Sequence, residues 1–189
     1  MSELSNPHHL VMGTLKDFLT GREIPDTHDE RYRQKIARLL VSGKGFDKKN
    51  IKAGIDLEVA VKGKKGRLKV DFLVHDGGHA VMLVKYGPGS LVTRRLSTLA
   101  LSRIVLPYQI PVVVVTNGED AEIISGDTGK VTAEGLENIP GLEMILRMRP
   151  LFSFKPITPV IFEQASGIVL ACEIDGACPC DSDVCILPE

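Results

Sequence analysis

The feature that most constrains the fold is a run of three strand-like segments between residues 55 and 89. The first segment has apolar residues at positions 55, 57, 59 and 61 that alternate with polar or small ones, which is the two-residue period of a half-buried strand. A turn rich in glycine and lysine at 63–66 leads to a second apolar segment at 67–75. Gly77 and Gly78 separate it from a third segment at 79–86. The sequence therefore predicts a three-stranded antiparallel meander.

Two charged residues lie inside these apolar segments, Asp71 in the second and Lys85 in the third. Charged side chains are seldom buried unless they are paired or used. Because side chains alternate across a strand, the length of the connecting loop decides whether the two can meet. A two-residue loop sets Asp71 opposite Val84, whereas a three-residue loop sets it opposite Leu83 or Lys85. We predict the three-residue loop, which places Asp71, Leu83 and Lys85 on one face.

Five motifs carry a resemblance to a known family, over about Phe18 to Pro140. They are Pro-Asp-Thr-His-Asp-Glu-Arg-Tyr-Arg-Gln at 25–34, Val-Asp-Phe at 70–72, Lys-Tyr-Gly-Pro-Gly-Ser at 85–90, Tyr-Gln-Ile-Pro at 108–111 and Val-Thr-Asn-Gly at 115–118. An Asp on one strand with Glu-x-Lys on the next is the core of the PD-(D/E)xK nuclease superfamily. The chain resembles one branch of it, the N-terminal domain of type I restriction enzyme R subunits.

This resemblance implies an α/β, restriction-endonuclease-like fold, in which a mixed sheet of an antiparallel meander plus a parallel strand is flanked by helices. It also implies a catalytic site in which Asp71 and Glu30 bind Mg²⁺ and Lys85 serves the water that attacks DNA. One position departs from the pattern, because Glu-x-Lys is replaced by Leu83-Val84-Lys85. We therefore expect a degenerate nuclease-fold domain that binds or weakly cleaves DNA. The alternative is a catalytically inactive binding or scaffold module.

The segment from Thr27 to Glu30 fits a helix capping box, with Thr27 as the N-cap. An apolar stripe follows and Gly43 ends the predicted helix. Two interpretations of Glu30 stay open: its carboxylate caps the helix, or it faces the metal site as the resemblance implies. Arg31 and Arg33 are predicted to lie in solvent, within reach of a phosphate.

Helical spacing of apolar residues also occurs near the N-terminus and after residue 90. The first set predicts an amphipathic helix that ends before Gly21: Leu10, Val11, Leu15, Phe18 and Leu19. The second set predicts a helix with Ser90 as its N-cap: Val92, Leu96, Leu99, Ala100 and Ile104. Arg94 and Arg95 lie on that second helix, and we predict that they contact DNA. An apolar run at 111–116 predicts a buried parallel strand, followed by a short strand at 121–124 and a short helix at 142–146.

Composition limits the class of protein. With 43% hydrophobic and 25% charged residues, the chain has the composition of a soluble globular protein. No apolar run reaches the roughly 18 residues of a membrane span, and the N-terminus lacks the features of a secretory signal. We therefore expect a cytoplasmic protein with no membrane segment.

Charge is unevenly distributed, although the net charge of −1 argues against a generic nucleic-acid binder. Lysines and arginines concentrate between Lys44 and Lys69, and none follows Lys155. This distribution indicates a basic face on the folded part. For the turn at Lys64 and Lys65, a solvated hairpin end is the favoured interpretation.

The proline spacing predicts two parts, a restriction-endonuclease-like domain over 1–150 and a Pro-rich linker with an acidic, cysteine-containing tail over 151–189. All the cysteines lie in the tail: Cys172, Cys178, Cys180 and Cys185. They are interpreted either as ligands of Zn²⁺ or an iron–sulfur cluster, or as unliganded thiols, because their spacing matches no strong metal pattern. The chain contains no P-loop motif, so a restriction role would need an ATPase on another protein subunit.

Overall fold

The computed structural model describes residues 10–174 and the backbone of Val184–Leu187. A small hairpin of β1 (Thr14–Lys16) and β2 (Glu23–Pro25) precedes helix α1 (His28–Arg38), which continues as a π-helical turn over Leu39–Gly43. The strands of the main sheet are β3 (Ile51–Val61), β4 (Lys64–Asp76), β5 (His79–Tyr86), β6 (Val112–Thr116), β7 (Ala121–Ser125), β8 (Val131–Glu134) and β9 (Val184–Leu187). The remaining helices are α2 (Arg95–Leu101), α3 (Leu142–Met148) and α4 (Pro159–Val169).

The main sheet is mixed. Its strand order is β3-β4-β5-β6-β7-β8, and β9 pairs with the first half of β4. Strands β5 and β6 are parallel, and the other described pairs are antiparallel. The predicted meander corresponds to β3, β4 and β5, and the predicted parallel strand to β6. The α/β prediction is therefore confirmed, and the architecture is consistent with a restriction-endonuclease-like fold.

Helices cover both faces of the sheet because the central strands are apolar on both sides. On one face, Ile36 and Leu40 from the α1 segment share a buried cluster with Phe72 of β4. On the other face, Leu101 of α2 and Val169 of α4 share a second cluster with the strands. Strand β6 is buried throughout, as expected for a central strand in a sheet covered on both faces.

The connection between β4 and β5 differs from the predicted three-residue loop. Gly77 and Gly78 form a two-residue turn, both with positive φ (55° and 84°), which is the backbone that tight hairpins require. The register then shifts by one residue, because Val74 pairs with Met82 while His75 pairs with Ala80. This β-bulge leaves Val81 as the extra residue on β5. The loop-length prediction was wrong, but the bulge restores the register in which Asp71 meets Lys85.

The predicted N-terminal helix is also wrong, since the β1–β2 hairpin takes its place. The backbone N–H and the hydroxyl of Thr20 both donate to the Asp17 carboxylate, which builds a tight turn at the hairpin tip. Gly21 completes that turn with φ of +75°. A local side-chain hydrogen bond therefore competes successfully with helix formation at this apolar spacing.

The segment after residue 150, predicted as a linker and tail, contains helix α4. The Thr158 hydroxyl accepts the N–H of Ile161, and Pro159 occupies the first turn, where it needs no hydrogen-bond donor. Ala165 and Val169 lie in the same core as α2 and the sheet. Pro159, one of the prolines from which a linker was predicted, therefore begins a helix. No helix in the described residues is long and apolar enough to cross a membrane.

Candidate active site

A cleft of about 430 Å³ opens between α1, the β1–β2 hairpin and the adjoining parts of β3 and β4. Among the described residues, its lining includes three acidic and three basic side chains: Asp17, Glu30, Asp71, Arg22, Arg33 and Lys69. Asp71 is the most deeply placed of these, with a side chain only 2% exposed. The cleft therefore concentrates charge around a buried carboxylate.

Both oxygens of Asp71 are engaged by donors from neighbouring elements. Oδ2 accepts Lys85 Nζ at 2.9 Å and the backbone N–H of Tyr86 at 3.0 Å. Oδ1 accepts Arg33 Nε at 2.8 Å. Burial raises the pKa of the Asp71 carboxyl, but the nearby Lys85 and Arg33 outweigh burial and hold that pKa below its usual range. Asp71 is therefore an ionised carboxylate held between two cations.

Backbone geometry explains why the Asp71 side chain finds room at this point of the sheet. Ala53 pairs with Phe72 and Ile55 pairs with Val70, so Gly54 lies across from Asp71 on β3. Gly54 has φ of +60° and no atom within 4 Å of a Cβ built on it. A glycine in this conformation interrupts the regular strand and leaves the cleft open beside Asp71.

Helix α1 presents Glu30, Arg33 and Gln34 to the cleft, because residues three and four apart share one helix face. Arg33 Nη1 lies 3.6 Å from Glu30 Oε2, while its Nε binds Asp71. The Arg33 guanidinium thus connects the carboxylates of Glu30 and Asp71. This contradicts the prediction that Arg33 lies in solvent, and its side chain is 22% exposed. Thr27 is the N-cap of α1, as predicted, and accepts the N–H of Glu30.

Gln34 ties the β1–β2 hairpin to α1. Its amide nitrogen donates to Asp17 Oδ2 and to Glu30 Oε1, both at 2.7 Å, and its carbonyl oxygen accepts the N–H of Phe18 at 2.6 Å. Burial raises the pKa of Asp17, but hydrogen bonds from Thr20 and Gln34 outweigh it and lower that pKa overall. The glutamine fixes the positions of two cleft carboxylates.

Tyr86 extends this network beneath α1. Its hydroxyl donates to Asp29 Oδ1 at 3.0 Å, and its ring stacks on Tyr32 with centroids 5.8 Å apart. Burial, followed by the Asp29 charge, raises the pKa of the Tyr86 hydroxyl well above its ordinary value. The tyrosine therefore stays protonated and acts as a fixed hydrogen-bond donor.

Leu83 occupies the position at which the resemblance noted in the sequence predicts a second carboxylate. It pairs with Leu73 of β4 and with Val113 of β6, and it is fully buried in a hydrophobic cluster. Its isobutyl group offers no ligand atom.

The donor set around Asp71 does not fit Mg²⁺ as it stands. This ion prefers near-octahedral oxygen ligands, usually one or two carboxylates with water and substrate phosphate. Both Asp71 oxygens already accept hydrogen bonds from cationic or backbone donors, and Glu30 lies beside Arg33. Within residues 10–174, no group of three or more His, Cys, Asp or Glu side chains is placed to hold a metal ion. The predicted Asp71–Glu30 metal site therefore remains a hypothesis.

The two arginines predicted to contact DNA do not line this cleft and lie on or beside α2. Arg95 makes a two-pronged ion pair with Glu122, whose side chain is 8% exposed. Arg94 donates to the Pro88 carbonyl and packs over Gly87, where a Cβ would come within 2.6 Å of the arginine side chain. Both arginines therefore have contacts within the fold, and their predicted DNA contacts stay untested.

The cysteine predictions fall largely outside the described residues. Cys172 is exposed in the π-helical turn that follows α4. Cys178 and Cys180 lie outside the described residues, and only the backbone of Cys185 is described, in β9. The Zn²⁺, iron–sulfur and free-thiol interpretations all stay predictions.

Several cleft residues were not predicted from the sequence, namely Asp17, Arg22, Gln34 and Lys69, together with the partnership of Arg33. Arg33 and Gln34 carried a usable signal, because they lie three and four residues after Glu30 on the same helix face. Asp17 and Arg22 were not predicted because a helix was expected where the chain forms the β1–β2 hairpin.

Comparison with known proteins adds one family. The model of the type I restriction enzyme R protein N terminus matches residues 28–140, more than half of the 189-residue chain. The match includes α1, Asp71 and Lys85 and excludes the β1–β2 hairpin. No curated protein matches the chain, and no solved structure does. The chain therefore belongs to the family of type I restriction enzyme R protein N-terminal domains.

Proposed function

We propose that this chain is a DNA-binding domain of nuclease fold whose hydrolytic centre is incomplete, so that it binds duplex DNA and cleaves it weakly or not at all. The observation that carries the proposal is the state of Asp71, whose carboxylate is shared by Lys85, Arg33 and the Tyr86 N–H. The leucine at position 83 supports the same conclusion, because a second carboxylate is missing from the strand that carries Lys85. Family membership supports a DNA-related role.

The charges of the cleft support binding of a phosphate backbone. Arg22 and Lys69 are exposed at its lining, and Lys85 lies beside Asp71. DNA phosphates are recognised mainly by such cations, with an affinity that falls steeply as salt rises. Lys85 is a fourth cation beside the three basic and three acidic side chains described in the lining, so basic groups outnumber acidic ones by one, which favours an anion.

Duplex binding and plasmid cleavage together test the proposal. We expect a labelled 20-base-pair duplex to bind with an affinity that falls as salt is raised, and the double variant Arg22→Ala/Lys69→Ala to bind more weakly with a shallower salt dependence. Lys155→Ala is the matched control, because this exposed lysine does not line the cleft. Supercoiled plasmid with Mg²⁺ or Mn²⁺ should stay intact or nick slowly. Robust cleavage abolished by Asp71→Ala would overturn the incomplete-centre part, and unchanged binding by the double variant would overturn the cleft as the binding surface.

An exposed apolar surface favours a second candidate function, a non-catalytic scaffold that binds protein. In the described part of the chain, Val92, Leu96, Val160 and Phe162 are 46–65% exposed, on or next to the packed pair α2 and α4. Clustered exposed apolar residues often mark protein contacts. Size measurement by light scattering, on the parent and on Leu96→Ser/Phe162→Ser, separates this function from DNA binding. If the variant differs from the parent in size while its duplex affinity is unchanged, the scaffold function is supported. If the parent and the variant have the same size, that function loses its support.

A further inference from the structure

We infer that the Arg33 guanidinium takes the place of a metal ion between Asp71 and Glu30, so that this side chain must leave before a divalent cation can bind there. The inference deepens the proposed function, since it concerns the same cleft. It explains in one step why two carboxylates face each other across α1 and β4 without an open cation site.

The geometry assigns this role to Arg33 and to no neighbouring residue of α1. Arg33 Nε binds Asp71 Oδ1 at 2.8 Å, and Nη1 of the same side chain lies 3.6 Å from Glu30 Oε2. A planar guanidinium with several donors can engage two carboxylates at once, which an ammonium does less well. Arg31, two positions earlier on the same helix, is instead paired with Asp26 and is 54% exposed.

Burial strengthens the competition between Arg33 and a metal ion. Asp71 is almost fully buried, and removal of a charged partner from such a group is unfavourable unless another cation replaces it. Lys85 and the Tyr86 N–H occupy Oδ2, so the oxygen that a cation can reach is Oδ1, the one bound by Arg33. A divalent cation at this oxygen and at Glu30 therefore competes directly with the guanidinium.

The test is the binding of Mn²⁺ alone to the full chain, without DNA. Titration calorimetry measures Mn²⁺ affinity, and electron paramagnetic resonance measures the free Mn²⁺ independently. Both compare the parent with Arg33→Ala, Arg33→Gln and the control Arg31→Ala. When a site is open in only a small fraction of the molecules, the apparent affinity for its ligand is reduced by that fraction. Arg33→Ala keeps the site open, so it should bind one Mn²⁺ about tenfold or more tightly than the parent. Arg31→Ala should bind like the parent. Arg33→Gln keeps a hydrogen-bond donor for Asp71 without the charge, and it serves if the alanine variant does not fold.

A second substitution identifies the ligands. Glu30→Gln added to Arg33→Ala should abolish the gained affinity, because an amide is a poorer ligand for a hard cation than a carboxylate. Equal Mn²⁺ affinity of the parent and both Arg33 variants would overturn the inference, as would a gain that survives Glu30→Gln. Loss of duplex binding in the cleft variants has no bearing on these titrations, so failure of the proposed function and failure of this inference can be told apart.

Discussion

Asp71 and Lys85 form a 2.9 Å ion pair between adjacent strands because one extra residue, Val81, is inserted in β5. With the two-residue turn and no bulge, Asp71 would face Val84 and the lysine would point away from it. A β-bulge therefore sets the charge partner of the buried carboxylate. Bulges are common beside functional sites because they re-aim a side chain without a longer loop.

Removal of the Asp71 carboxylate is expected to destabilise the fold. Asp71→Ala leaves Lys85 and Arg33 without their shared partner, and breaking a buried ion pair costs roughly 3–5 kcal/mol in free energy of unfolding. Urea unfolding followed by far-ultraviolet circular dichroism measures the loss. Asp47→Ala is the control, since its side chain is 68% exposed and should change little. Equal stability of Asp71→Ala and the parent would show that the network contributes nothing net.

Acid pH should weaken the Asp71 contribution. The pKa of this carboxyl lies below its ordinary value of 3.8 in the folded chain, so the unfolded chain takes up the proton first as pH falls. The stabilisation is complete above about pH 4 to 5 and is lost as pH drops through the folded pKa. The difference in urea midpoint between the parent and Asp71→Asn should therefore be largest near pH 7 and should shrink progressively as pH falls below 3.8. A constant difference across this range would contradict the assignment.

The sheet was predictable because its signals are local and strong. Alternation in β3, the continuous apolar run of β6 and the glycine pair before β5 each indicate one structure with few competitors. The Asp71–Lys85 contact was predicted through the wrong loop, because a bulge such as that at Val81 leaves no clear mark in a run of apolar residues. The sequence pattern was therefore sufficient to predict which strands pair, but not the β-bulge that fixes the register between β4 and β5.

The cleft was harder to predict because most of it comes from contacts distant in sequence. Arg33 meets Asp71 38 residues away, and Gln34 meets Asp17 17 residues away. The apolar spacing near the N-terminus fits a helix, yet Asp17 and Gly21 stabilise a turn instead. The spacing of apolar residues does not reveal side-chain hydrogen bonds, such as those between Thr20 and Asp17, that stabilise a turn in place of a helix.

Arg95 is expected to affect stability more than DNA affinity. Arg95→Ala leaves the Glu122 carboxylate, whose side chain is 8% exposed, without its cation, so the melting temperature should fall by a few degrees. Differential scanning calorimetry measures that fall, and fluorescence anisotropy measures duplex affinity in the same samples. Arg103→Ala, which removes an arginine bound to Gln109 just after the same helix, is the comparison. A fully stable Arg95→Ala that loses duplex binding would instead support the DNA contact predicted from the sequence.

Gly118 should not tolerate a side chain. It has φ of +85°, and a Cβ there would lie 2.3 Å from Cδ1 of Tyr32, the ring that stacks on Tyr86. Gly118→Ala therefore combines backbone strain with displacement of Tyr32, and it should lower the free energy of unfolding by more than about 1 kcal/mol. Gly63→Ala has a similar φ of +83° with no atom within 4 Å of the added Cβ, so it isolates the backbone effect. A similar loss in both variants would mean that the contact with Tyr32 is easily relieved.

Leu83→Glu tests whether a glutamate at the position where the resemblance predicts one can complete a metal site. Leu83 and Lys85 are two residues apart on β5 and share a face, but Leu83 is fully buried between Leu73 and Val113. A glutamate there lacks water, so the variant should lose stability without metal, and Mn²⁺ or Mg²⁺ affinity should rise because a second hard ligand joins Asp71. Titration calorimetry measures the affinity, and thermal melts with and without Mn²⁺ measure the stability.

The size of that gain depends on Arg33. While the guanidinium stays on Asp71 Oδ1, the new carboxylate has only part of a site to complete, so Leu83→Glu/Arg33→Ala should bind Mn²⁺ more tightly than either single variant. Val113→Glu places a carboxylate in the same core on the next strand and should destabilise the fold without any gain in metal affinity. Tight Mg²⁺ binding by the parent, unchanged by Leu83→Glu, would mean that another carboxylate already completes the site, with Glu30 the first to be substituted.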